Sequence, residues 1–186
     1  MCKHERRRYE VLQQRGDLEV REYAPYLVAE TEVGGDLEAA GTTAFRVLAG
    51  YIFGKNRGSQ QLAMTAPVTQ RKSETIAMTA PVAQVATSSG TWAVQFMMPS
   101  NYTLATLPEP LDPAVQLREM PARKMAALRY SGTWSARNYE KHLAQLRSAV
   151  DALGLHARGE AVWARYDPPW KPWFLRTNEI LLELAD

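Results

Sequence analysis

The sequence predicts an α+β domain in which two helices lie on one antiparallel sheet, built from two similar halves. Three observations lead there. Short alternating runs separated by turn residues recur along the chain. Two amphipathic stretches, each opened by a capping residue and closed by glycine, interrupt them. The order strand, glycine, capped helix, loop, strands occurs from Tyr26 and again from Met125. The two halves share this pattern without obvious sequence identity.

The elements follow in order. Residues 9–15 (YEVLQQR) and 18–23 (LEVREY) alternate around Gly16-Asp17, a hairpin signature. Ala24-Pro25 breaks the run, and residues 26–33 (YLVAETEV) form a third strand ending at Gly34-Gly35. Asp36 is the N-cap of a first helix, because Leu37, Ala40, Ala44, Phe45, Leu48, Tyr51 and Ile52 recur at helical spacing before Gly54. Gly41 and Thr42-Thr43 weaken its intrinsic propensity, so packing must hold it.

LAMTAPV (62–68) returns as IAMTAPV (76–82) fourteen residues on. Proline in each copy suits a strand end, edge or bulge. The plainest account of the repeat is a hairpin whose strands share one packing solution. Residues 91–98 (TWAVQFMM) are strongly strand-forming, and 99–113 hold four prolines in a long surface loop. Strands at 115–120 and 124–131 meet near Pro121. Ser135 caps a second helix with the stripe Tyr139, Leu143, Leu146, Val150, Leu153, stopped by Gly154. A strand at 160–166, a stiff loop at 167–173 (DPPWKPW) and a closing strand at 179–184 complete the chain.

Composition bounds the function. The 186 residues are 46% hydrophobic and 23% charged, ordinary for one globular domain. Residues 1–8 are expected to be a flexible basic end, and 9–186 a single domain. The net charge of +2 gives no global pull towards nucleic acid or membrane. No stretch reaches the ~18–20 apolar residues of a membrane span. Cys2 is the only cysteine, so no internal disulfide forms; a trimmed lipoprotein leader stays open for it, and a cytoplasmic protein is the default.

Catalytic signatures are missing. His4, His142 and His156 include no i, i+4 pair, and neither HExxH nor CxxC occurs. No GxSxG, Walker loop or strand-following GxGxxG is present. Acidic residues are scattered, and no nucleophile has a fixed base. The expectation is a non-enzyme with no metal ligand of its own. Trp170 and Trp173, held between prolines, suggest a binding edge.

REYAPYLVAET (21–31), YIFGKN (51–56), IAMTAPV, FMMPSNY (96–102), YDPPWKPW (166–173) and RTNEI (176–180), in that order, resemble the SOUL haem-binding family over about residues 9–184. The resemblance implies a distorted antiparallel β-barrel of two pseudo-symmetric halves, each contributing one helix. It also implies reversible binding of haem or free porphyrin in an open apolar cleft, for carriage or buffering. In the family that cleft lies between the first helix and the loop before the last strand. By position, this gives Phe45, Leu48, Ala49 and Ile52 on the helix, and Trp170 and Lys171 on the loop.

The basic residues that the family's animal members carry on this helix fall at Thr42 and Gly50, so Lys171, with Arg46, Lys55 or Arg57, is left to meet the propionates. No histidine lies on the first helix. His142 reads as a flank residue of the second, and Met64, Met78, Met97 and Met98 read as core filler. Binding without a strong axial ligand from the protein is therefore expected. Two other functions stay open: an effector-binding module for another flat amphipathic ligand, and a module that docks a protein partner through the Pro/Trp loop and basic end.

Overall fold

A computed structural model describes residues 8–62, 68–72, 91–167 and 170–185, without the side chains of 71 and 72. Among these residues the elements are β1 (Tyr9–Arg15), β2 (Leu18–Tyr23), β3 (Tyr26–Gly34), α1 (Leu37–Ile52), β4 (Val68–Lys72), β5 (Thr91–Met97), β6 (Gln116–Met120), β7 (Arg123–Tyr130), α2 (Ala136–Ala152), β8 (Ala157–Arg165) and β9 (Asn178–Leu184). Every strand read from the alternation is present within a few residues of its expected bounds. Residues 1–7 and the AMTAPV stretches at 63–67 and 76–82 lie outside the described residues. Val68, the last residue of the first copy, opens β4.

All pairings are antiparallel in one curled sheet, a distorted barrel of order β1-β2-β7-β9-β8-β4-β5-β3-β6. The order displays the duplication. β7-β9-β8 and β3-β5-β4 are equivalent triplets joined at the β4–β8 seam. The strand preceding each triplet crosses to the other one: β2 pairs with β7, and β6 with β3. Each half is therefore completed by a strand contributed from the other.

The helices begin where the capping chemistry puts them. Asp36 Oδ1 accepts from the amides of Glu38 at 3.0 Å and Ala39 at 2.8 Å. Ser135 Oγ accepts from the Asn138 amide at 3.3 Å. Gly154, at φ +68°, takes the left-handed conformation that ends α2. Each helix lays its apolar stripe on one triplet. α1 packs Ala44, Leu48, Tyr51 and Ile52 against Ala29, Val94 and Phe96. α2 packs Tyr139, Leu146 and Val150 against Trp163, Ile180 and Leu182.

The opposite, inner face of the sheet is partly polar. Arg21, Glu30, Thr69, Gln95 and Glu179 are all buried. Arg21 grips Glu179 with two guanidinium nitrogens, both at 2.8 Å, and also donates to Tyr23 Oη and Glu19. Tyr166 Oη donates to Glu179 at 2.6 Å. In the other half Glu30 accepts from Arg118 at 2.6 Å and from Gln95 at 2.5 Å. Burying these groups is tolerable because each is paired.

The proline-rich stretch 99–113 is pinned to the end of α1. Tyr51 Oη donates to the Pro108 carbonyl at 2.8 Å, and the Arg57 amide to the Glu109 carbonyl at 2.8 Å. Buried Asn56 donates through Nδ2 to the carbonyls of Tyr51 and Gln60 and accepts from the Gln60 amide. The YIFGKN segment thus serves as a clasp.

Candidate ligand-binding site

The loop joining β8 to β9 carries the chain's most exposed aromatic surface. Asp167 staples its base: one carboxylate oxygen accepts from Lys171 Nζ at 2.7 Å, the other from the Thr177 amide at 2.6 Å. Arg176 Nε donates to the Lys171 carbonyl, and its guanidinium lies 4.5 Å from the centre of the Trp134 ring. Trp134 is itself anchored through Nε1 to Asn178 Oδ1 at 2.8 Å. The loop is therefore fixed beside the start of α2, and its apolar side chains face solvent. Trp170 is 83% exposed, and Trp173, Phe174 and Leu175 are each more than half exposed. The loop thus holds four large apolar side chains in water.

Beneath Trp173 lies a cavity of about 730 Å³ against the first turns of α2. Its size falls within the range of about 300–1,000 Å³ usual for small-molecule sites. Tyr130 and His142 form one wall, their rings stacked at 4.0 Å with an interplanar angle of 24°. Arg137 and Lys141, four residues apart on one helical face, supply two cations. Gly132 closes the β7–α2 turn: it has φ +132°, and a Cβ there would come within 2.7 Å of Asn138 Nδ2. Only glycine lets that turn lie so close to the helix.

His142 Nδ1 is 2.7 Å from Gln145 Oε1. An amide oxygen can only accept, so Nδ1 carries a proton and donates to it. Burial, together with the charge of Lys141, holds the His142 pKa below the ordinary imidazole value against the opposing hydrogen bond from Gln145.

A second cavity, of about 430 Å³, lies between Tyr26, Met97, Met98 and Tyr102, with Arg8 and Glu119 at its edge. Its two charges are of opposite sign. Met97 and Met98 are 4% and 3% exposed, as core residues are.

The six residues expected at the site divide into three groups. Leu48 and Ile52 are fully buried under α1, while Phe45 and Ala49 lie further out, Phe45 being 41% exposed and edge-on to Phe96 at 5.3 Å. Trp170 stands in solvent, and Lys171 is engaged with Asp167. None of the six lines either cavity. Of the other cations considered, Arg57 pairs with Glu109 at 3.0 Å and Lys55 folds across Gly50. The sequence reading did not single out Tyr130, Arg137 or Lys141, which line the cavity at α2. The i, i+4 spacing of the two cations was legible, but their position opposite Trp173 depends on the fold.

Among the described residues, no group of three or more His, Cys, Asp or Glu side chains is placed to hold a metal, and no helix is long and apolar enough to cross a membrane.

The described residues form a duplicated α+β barrel with two external helices and a loop of exposed aromatics beside a hollow that two cations line. The SOUL heme-binding protein profile matches residues 4–183, and the chain belongs to that family. Heme-binding protein 1 of Xenopus laevis is 28% identical over 169 residues, covering 86% of this chain and 84% of that protein. The Xenopus tropicalis protein of the same name is 27% identical over 168 residues with the same coverage. Among solved structures, the EcmrR C-terminal domain superposes with a TM-score of 0.61 at 12% identity, covering 96% of this chain and 98% of that one. At that identity the likeness shows the fold alone.

Proposed function

We propose that this protein binds haem or a free porphyrin reversibly, as a carrier or buffer of tetrapyrroles rather than as an enzyme. The observation that carries the reading is the exposed aromatic set Trp170, Trp173, Phe174 and Leu175 on the β8–β9 loop, in a chain of a haem-binding family. A porphyrin is a flat apolar disc with two carboxylates on one edge. It needs apolar area, rim cations and, optionally, an iron ligand. In this reading the opposing wall is α1, where Phe45 and Ala49 would meet the ring over the buried support of Leu48 and Ile52, with Trp170 and Lys171 across from them.

On this reading Phe45→Asp abolishes saturable haemin binding in a Soret titration while far-UV circular dichroism stays unchanged. Phe45 is partly exposed, so the fold should tolerate the change. Unaltered affinity in the folded variant would remove α1 from the site.

A further inference from the structure

We propose that the turn Trp173–Leu175, with the neighbouring cations Arg137 and Lys141, is a docking surface for an anionic lipid bilayer. The apolar side chains enter the headgroup region, and the cations meet the lipid phosphates and carboxylates. The inference goes beyond the tetrapyrrole reading, which sets Trp170 and Lys171 against α1.

The turn stands off the protein. Trp173–Leu175 is a single turn of 3₁₀ helix. Successive side chains of such a turn point about 120° apart, so on one lying flat against the fold one of the three is covered. Here Trp173, Phe174 and Leu175 are 56%, 57% and 56% exposed. The Trp173 and Phe174 rings meet edge-on at 5.6 Å and form one apolar knob. Its base is rigid, because Asp167 holds both Lys171 and the Thr177 amide and Pro172 precedes the turn. A fixed loop presents these groups with little ordering cost on docking. Tryptophan suits this place, since its ring is apolar and its N–H can stay in water at headgroup level.

Charge complementarity names the partner. The chain's net charge is only +2, so attraction to an anionic surface has to be local. Trp173 shares its hollow with Arg137 and Lys141, and among the described residues lining that hollow there is no carboxylate. The wall also carries the hydroxyls of Ser131 and Thr133, which suits a phosphate-bearing headgroup rather than an apolar chain. Apolar side chains set beside two cations match a bilayer boundary with negative headgroups. A comparably exposed apolar pair, Phe53 and Leu111 at 61% and 65%, lies by the C-terminal end of α1. There the neighbouring Arg57 is paired with Glu109 at 3.0 Å, so that patch lacks the same complement.

The test is flotation of the full chain with vesicles of phosphatidylcholine alone and of phosphatidylcholine mixed with phosphatidylserine. The native protein should bind the mixed vesicles, bind the plain ones weakly, and be released by high salt. Arg137→Gln/Lys141→Gln should lower affinity for mixed vesicles about 25-fold, about fivefold for each cation, and leave plain vesicles unaffected. Trp173→Ala/Phe174→Ala should weaken binding to both, while Phe53→Ala/Leu111→Ala should behave as the native protein does. All six side chains are at the surface, so the variants should fold. Trp173→Phe should keep binding yet reduce the quenching of tryptophan fluorescence by lipids brominated on their acyl chains. Failure of the native protein to bind mixed vesicles overturns the proposal, as does binding that survives both the cation and the aromatic double variants. Self-association in place of vesicle binding, lost in Trp173→Ala/Phe174→Ala, also overturns it and makes the turn an interface between copies of this chain. The assay contains no tetrapyrrole, so its outcome is independent of haem binding.

Discussion

Trp163→Ala is expected to lower the unfolding free energy by about 3–5 kcal/mol, the range for removing a large aromatic from a packed core. Trp163 has no exposed surface and lies in the core cluster beneath α2. Its ring meets Tyr139 of α2 at 5.7 Å, and the Arg165 guanidinium lies 4.0 Å from its centre. Arg165 in turn donates to Gln70 on β4 at 3.0 Å and lies so close to Gly41 of α1 that a Cβ there would stand 3.1 Å from it. Burial has already pushed the Arg165 pKa down to about 10, so this cation has little solvent to fall back on. Deleting the indole therefore opens a void under α2 and removes the aromatic face over which Arg165 lies at the β4–β8 seam. Chemical denaturation measures the loss. Trp170→Ala provides the contrast: at 83% exposure it should shift stability by no more than about 0.5 kcal/mol. Equal costs at the two tryptophans would contradict the placement of both.

Glu179→Leu should cost about 3–5 kcal/mol, because it leaves Arg21 charged and buried without its partner. The two side chains are 2% and 1% exposed. The double variant Arg21→Met/Glu179→Leu should be less destabilised than either single variant, since it removes both members of the fully buried pair and leaves only Glu19, which keeps some solvent contact, without Arg21. Strict additivity of the two single costs would mean that the pair is not coupled.

The same pair predicts acid sensitivity. Burial raises the Glu179 carboxyl pKa, but Arg21, the Tyr166 hydroxyl and Arg129 outweigh it, so the folded value lies below the ordinary one. A depressed carboxylate contributes stability that is fully present above the unfolded value of about 4.5 and is lost as pH falls through the folded value. The native protein should therefore lose stability on acidification below the ordinary carboxylate range, and Glu179→Leu should flatten that part of the profile.

These residues also explain what the sequence made legible. The elements follow from local signals: Asp36 and Ser135 cap, Gly154 stops, and alternation marks the strands. The duplication was readable as an order of elements. The crossing of β2 to β7 and of β6 to β3 was not, because pairing between distant strands leaves no trace in local periodicity. Four of the motifs carrying the family resemblance lock the fold through their described residues. Arg21 of REYAPYLVAET meets Glu179 of RTNEI, Tyr51 and Asn56 of YIFGKN clasp the 99–113 loop, and Asp167 of YDPPWKPW holds the last turn before β9. Such motifs identify the fold through the side chains that lock it.

The site was less legible for the same reason. Helical spacing put Leu48 and Ile52 on the same stripe as Phe45, yet the stripe's centre is turned into the sheet and only its flank reaches outward. Scattered acids gave no hint of the buried Arg21–Glu179 and Glu30–Gln95 groups, since strand pairing brings them together across the inner face. His142 carried no motif of its own. Its relation to Tyr130, Gln145 and Trp173 depends on how β7, α2 and the last loop meet.

Tetrapyrrole binding is tested most directly by titrating the native protein with haemin and with protoporphyrin IX, following Soret absorbance and isothermal heat together. One-to-one saturation by both ligands, with similar affinity, is the expected result. Weak, non-saturating uptake of both, as a non-specific apolar surface gives, would contradict the assignment of this protein as a tetrapyrrole carrier.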